Sequence, residues 1–530
     1  MASTTAHELH PSGQTTSRWK AFAKRLECPV DEDGGYVNDR WTNRDLIPIP
    51  PDRRTYKIWS FVIYWFVSGA CISAYSAGSS LLAYGLTAQQ AMACVVIGAI
   101  ITGMLSVVSG TPGEVHHIGF TVVSRVTWGL RGGLFPVALR TFTSIWWFGI
   151  QSYWGGMAVA LILGGLSPSF KHMYNPIPES SHITIQNLIG VIIWLQRPFV
   201  ISSIAFGATL IGLLAWAVPT AGGGGPLFHT QNTAPSTSYS MMLGITSILS
   251  AWGAGTIGQS DWVRYSQRRY YPMLSQLVAA PLMITLCALV GVVVTSSSYQ
   301  ILGTLYWSPI ELLGAIQEHY NSSPGLSINV LLNSVSTGMD MAGLWPKYIN
   351  IRRGAYLLAA FGLASNPWQI LASATTFLSV ISFLGVFTAP MTGLLLADYL
   401  VVRRHRVKIP DLYNGTPSSI YWFWHGIHWR AVVAFLVSVW VFWPGFIMTM
   451  KDPKADNGWV KLFNISFLVG LGLGFVIYLA ICVVSPPPHY KEGDPYLDDD
   501  LYCKNVSAVA PTDGVEDGKH DENVTVVPVA

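Results

Sequence analysis

Ala91-Met-Ala-Cys-Val-Val-Ile-Gly-Ala-Ile-Ile-Thr-Gly-Met-Leu-Ser-Val-Val108 runs for 18 residues without one charged side chain. About 20 such residues, wound as a helix, match the hydrocarbon thickness of a bilayer. Leu468 to Val484, near the other end of the chain, reads the same way, and similar blocks recur between them. Lipid offers backbone N–H and C=O groups no partner, so a chain built of such blocks folds as a bundle of spanning helices. Composition agrees: 51% of the residues are hydrophobic, 11% are charged and mean hydropathy is +0.40. Soluble domains carry about 25% charged residues, and this chain lacks the polar surface to face water all round. The fold class is therefore all-α, a polytopic protein whose main partner is the lipid bilayer.

Reading apolar runs against charges and Gly/Pro breaks gives about twelve spans. They are Trp59–Leu82, Gln89–Val108, Gly133–Leu163, a compressed fourth and fifth within 183–218, Met241–Gly258, Met273–Val294, Ile328–Leu344, Ala355–Leu371, Thr376–Val401, Ala431–Met448 and Val460–Val484. The first 57 residues form a polar tail, 58–402 the core, 403–484 the last two spans with their preceding loop, and 485–530 a disordered acidic tail. Lys and Arg cluster in the N-terminal tail, at Arg264/Arg268/Arg269, at Lys347/Arg352/Arg353 and at Arg403/Arg404/Arg406/Lys408, whereas 219–240 and 296–327 have none. By the positive-inside rule both termini are expected in the cytoplasm. The compressed region holds about 36 residues around Arg197-Pro198, while two full spans need roughly 40 plus a turn. Either these helices are short or a segment is missing.

A net charge of +3 is too small to point to nucleic acid. The six cysteines form no CxxC pair, so neither a zinc site nor a disulfide framework is suggested. Gly222 to Gly225 has no following Lys or helix signal and is no phosphate loop. His116-His117 lacks other metal-type ligands nearby, and no nucleophile-plus-base set or HExxH appears. No enzyme and no cofactor are expected. Asn321-Ser-Ser323 is a glycosylation sequon in an outer loop, and Lys491, Lys504 and Lys519 are candidate ubiquitin acceptors beside trafficking signals in the tail.

Two spans look broken at matching positions. The first carries Ser68-Gly69-Ala70, then Ser73, Ser76, Gly78, Ser79 and Ser80; the sixth carries Gly253-Ala254-Gly255 after Trp252. They lie five spans apart, as an inverted repeat of spans one to five and six to ten requires. Breaks in corresponding halves put free backbone groups at the midplane, where a substrate binds. Small residues also serve close helix packing, and the matched pair is what favours the break. In the third span Trp147 and Gln151 are four apart and share a helical face. An indole stacks on a flat ring, and a carboxamide both donates and accepts hydrogen bonds. The competing reading is a Gln bonded to a neighbouring helix beside a packing Trp. The eighth span carries Asn333, Ser334, Ser336, Thr337 and Asp340. An intramembrane carboxylate serves an ion relay or a structural pair, the latter here with Lys347; the sequence leaves both open. Asp261, close to Arg264, and Asp398 read as structural.

These residues resemble a known family. Asn43 to Thr55, Ser144 to Gly156, Gln259-Ser-Asp-Trp-Val-Arg-Tyr265 and Pro346 to Gly354 are similar, in order, to signatures of the nucleobase:cation symporter-1 family, fungal uracil/allantoin permease branch. The resemblance covers about Asn43 to Val484. It implies a LeuT-like five-plus-five inverted repeat with two extra helices, and uptake of a small heterocycle at the plasma membrane coupled to protons rather than sodium. Trp147 is then the stacking aromatic, Gln151 the amide partner of the ring, Asn333 the second polar contact and Trp252 a second aromatic wall. Ser73 and Asp340 match positions tied to the pocket or to coupling, with Ser334 beside them. The sequence departs from the pattern at Cys71-Ile-Ser-Ala-Tyr75, where uracil-type members read Asn-x-x-Thr-Trp. It also lacks an aromatic at Leu384, although Phe383 is adjacent; both are gating candidates. Thiamine-type relatives lack the Trp/Gln pair. The substrates expected are uracil, allantoin or a related purine or pyrimidine. Rival readings are a nucleoside or vitamin carrier and a nutrient receptor that transports nothing.

Overall fold

The computed structural model describes residues 27, 39–43, 45–194, 199–320, 340, 344–345, 348–349, 351–452 and 455–488. Asn333, Ser334, Ser336, Thr337, Lys347, the turn Arg197-Pro198, the sequon and the C-terminal tail with its three lysines lie outside the described residues. Among those described, seven helices are long and apolar enough to cross a membrane, and a bent pair, Ile58–Gly69 with Ile72–Ala83, makes an eighth.

That pair is the first span, α1 (Ile58–Gly69) and α2 (Ile72–Ala83), bent by 44°. The break has a local cause. A Cβ on Gly69 would stand 2.7 Å from Met283 Cβ, so only glycine lets α1 lie this close to its neighbour. Cys71 then takes an extended conformation (φ −141, ψ 165) that no helix continues. The last carbonyls of α1 and the first N–H groups of α2 are left without intrahelical partners at this point.

α3 (Ala88–His116) starts on a capping box, in which Gln90 N–H donates to Thr87 Oγ1 and Thr87 N–H to the Gln90 side chain. α4 (Phe120–Trp128) is short and buried, and α5 (Leu134–Leu166) is the third span. α6 (Ile185–Trp194) has 10 residues and α7 (Phe199–Ala221) has 23. At 1.5 Å per residue α6 is about 15 Å long, half a bilayer core. Residues 195–198, between α6 and α7, lie outside the described residues. α6 packs closely on α5, Gly190 against the backbone of Gly156.

α8 (Thr237–Ile257), α9 (Tyr271–Leu302), α10 (Pro309–Tyr320), α11 (Ile351–Ala364) and α12 (Ala374–Leu396) follow. The chain ends with α13 (Trp429–Trp440), α14 (Trp443–Lys451), α15 (Gly458–Asn464) and α16 (Ser466–Val484). The sixth span corrects the sequence reading. α8 stays helical through Gly253-Ala254-Gly255 and yields only at Gly258. Gly253 packs against Thr388 of α12, and nothing lies within 4 Å of a Cβ on Gly255. At Gly253 small size serves packing, and at Gly255 it leaves open space.

The helices form two groups. α1, α2, α3, α8 and α9 pack together, while α5 packs on α6 and α11. These are spans one, two, six and seven against three, four and nine. α12 bridges α8 and α16. Asp398, just past α12, is fully buried and accepts from Arg403 Nε (3.1 Å), Thr127 Oγ1 (3.1 Å) and Tyr478 OH (2.8 Å). It ties α12, α4 and α16 together, the structural role read from the sequence.

On the N-terminal face, residues 39–56 strap the helix ends. Asn43 Oδ1 accepts from Asp45 and Leu46 N–H, Arg264 donates to Asp45 carbonyl at 2.7 Å, and Tyr413 OH to Leu46 carbonyl at 2.7 Å. Tyr56 pairs with 265–267 through two backbone bonds.

Candidate substrate cavity

The α1/α2 break faces α5 across a cavity of about 80 Å³. Sites for drug-sized ligands run to roughly 300–1,000 Å³, so this space is small. Its walls come from both helix groups: Tyr64, Ser68, Cys71 and Ser73 at the break, Trp252 and Gly255 on α8, and Arg140, Ser144, Trp147 and Gln151 on α5. Trp147 and Trp252 are 4% and 7% exposed, so little of either ring meets anything but protein and this cavity. Gln151 lines the cavity and has no hydrogen-bond partner among the described residues. A carboxamide at membrane depth is costly without a partner, and here the open side is the cavity.

Of the residues the sequence singled out, Trp147, Gln151, Trp252 and Ser73 thus come together. Two others do not join them. Phe383 turns to the far side of α12 and stacks on Phe446 at 3.9 Å between centroids, edge-on to Trp443. The last two spans supply an aromatic partner that outcompetes the cavity. Leu384 is buried in the core beside Phe383 and does not line the cavity.

The floor, towards the N-terminal face, is an ion cluster. Arg140 on α5 donates through Nε to Asp340 Oδ2 (2.6 Å) and through Nη2 to Asp340 Oδ1 and Asp261 Oδ2, the latter at 2.6 Å. Its guanidinium lies 4.2 Å from the ring centroid of Phe120, and Asp261 Oδ1 accepts Phe120 N–H at 2.8 Å. All three charged side chains are at most 3% exposed. Asp340 is therefore held by Arg140; the Lys347 pairing read from the sequence lies outside the described residues. The cluster joins span three to span eight and to the end of span six, across the two helix groups. Arg140 escaped the sequence reading, although a lone cation inside an apolar span is itself a signal of function.

Gly258 is fitted to this cluster: a Cβ there would land on Arg140 Nη1. The guanidinium cannot swing away because two carboxylates fix it. Gly258→Ala is expected to destabilise the protein by about 1–3 kcal/mol, the usual cost of overpacking, read as a lower melting temperature in detergent. An unchanged melting temperature would mean that the cluster is loose.

A broken first span, two helix groups and a cavity between them, floored by a buried ion cluster, are the architecture of a membrane transporter. The description of permeases for cytosine/purines, uracil, thiamine and allantoin matches residues 48–470, and the chain belongs to that family. It is 31% identical to the transporter aclS of Aspergillus oryzae, over 86% of its own length and 88% of the relative's. It is 28% identical to the uracil permease of Saccharomyces cerevisiae, over 84% and 76%. Its fold is similar to that of Mhp1, a nucleobase-cation-symport-1 family transporter, in a closed conformation with bromovinylhydantoin bound. The TM-score is 0.63 at 19% identity, covering 88% of this chain and 100% of that one.

Proposed function

We propose that this permease takes up a nucleobase or related heterocycle, such as uracil, allantoin or a purine, across the plasma membrane together with a proton. The observation that carries the reading is the open Gln151 carboxamide beside Trp147 and Trp252 in one cavity between the two helix groups. Stacking holds the ring plane, the carboxamide pairs with its lactam edge, and Asn333 supplies the second polar contact. Both termini face the cytoplasm in this reading, with the C-terminal tail open to trafficking and ubiquitin machinery.

Asp340 carries the coupled proton. Ionised, it holds Arg140 and keeps the two helix groups joined at the floor; protonated, it releases Arg140 to Asp261 alone, and the floor opens as one group rocks against the other. The strap over residues 39–56 rides on the same face. Asp340→Asn is expected to flatten the dependence of uptake on external pH; a normal pH response in that variant would return Asp340 to a purely structural role.

The direct test is uptake of labelled uracil in cells stripped of their own carriers, with allantoin, uridine and thiamine as competitors and a protonophore as control. Accumulation above the external concentration, blocked by the protonophore and by allantoin, is the expected result. Binding without accumulation would make the protein a receptor, and competition by uridine or thiamine alone would move the substrate class.

A further inference from the structure

A second cavity, of about 260 Å³, lies near the opposite face and shares no lining residue with the first. Four aromatic rings wall it: Tyr153 and Trp154 just past the middle of α5, Trp307 just before α10, and Trp368 in the turn between α11 and α12. The rings are fixed in place. Trp307 and Trp154 both pack on Phe377, at 5.1 and 5.8 Å, and Tyr153 meets Trp368 edge-on at 6.0 Å. The Tyr153 hydroxyl is occupied, donating to His182 carbonyl at 3.1 Å and accepting from Asn187 at 3.3 Å.

Glu311, in the first turn of α10, lines the same cavity and has no hydrogen-bond or ion-pair partner among the described residues. No Lys or Arg occurs in 296–327 to neutralise it. The other titratable groups lining the space are Tyr153 and His182, and residues 365–376 contribute none. An acidic side chain with no counter-ion among the described residues, set among indole and phenol rings, lacks one thing: a compact positive charge. Aromatic faces attract such a charge through their quadrupole, most strongly where water is excluded.

We infer that this cavity is a second binding site, separate from the transport cavity, for a small organic cation such as a quaternary or protonated amine. The aromatic walls hold its alkyl groups and Glu311 balances its charge. The site does not depend on which heterocycle is carried. Burial holds the Glu311 carboxyl up at about 7, so acid empties the site. The ionised form binds the cation, and affinity should rise about tenfold from pH 6 to pH 8.

The test uses the purified full chain in lipid nanodiscs, with choline and tetramethylammonium as calorimetric probes. Millimolar or tighter binding is expected, about tenfold stronger at pH 8 than at pH 6. Glu311→Gln should remove the pH dependence and weaken binding at least about tenfold, as loss of a buried charge partner does. Trp368→Ala should weaken it as well, and Gln151→Ala should leave it unchanged. Melting curves establish that each variant is folded. No binding by the folded parent, or binding that survives Glu311→Gln and fails in Gln151→Ala, would overturn the inference.

Discussion

Arg140→Ala is expected to abolish uptake and to lower stability by about 3–5 kcal/mol, the cost of breaking a buried ion pair from one side. Asp340 and Asp261 both bond to the same guanidinium nitrogen. Without it, two carboxylates would face each other away from water. The variant should therefore reach the membrane in reduced amount and melt earlier in detergent. Adding Asp340→Asn removes one of the stranded charges and should restore part of the stability, while uptake stays absent because the floor has lost its latch. A single variant as stable as the parent would show that water reaches the cluster freely.

Gln151→Ala should raise KM for the carried heterocycle while leaving surface abundance and melting temperature close to the parent's. The carboxamide makes no bond within the protein among the described residues, so its loss strands nothing in the fold. Two hydrogen bonds to a ligand, each worth about 0.5–1.5 kcal/mol net, correspond to roughly a 5- to 150-fold change. Gln151→Asn keeps the chemistry but pulls it back by one methylene and should fall between the two. Uptake kinetics at a fixed number of surface molecules check this. An unchanged KM would place the ligand elsewhere.

What the sequence made legible follows from how local each signal is. Trp147 and Gln151 sit one turn apart on a single helix, so their shared face needs no knowledge of the rest of the chain. The same holds for the spans, which lipid thickness dictates. Arg140 is different. Its partners lie 121 and 200 positions away, and its meaning appears only when three helices are assembled. Gly253-Ala254-Gly255 and Ser68-Gly69-Ala70 look alike as strings. Only the second breaks its helix, because Gly69 is pressed against α9 and Cys71 is extended, whereas Gly253 fits against Thr388 within an intact helix. Phe383 and Leu384 were read by their place in the span. Which way each points is decided by Phe446 and Trp443, and those aromatics belong to a part of the chain outside the repeat.

A structure of the full protein with uracil or allantoin bound would test the account most directly. The ring should lie flat against Trp147, with the Gln151 carboxamide within hydrogen-bond distance of its amide edge and Trp252 closing the other side. A ligand seated away from that cavity, with Gln151 untouched, would contradict it.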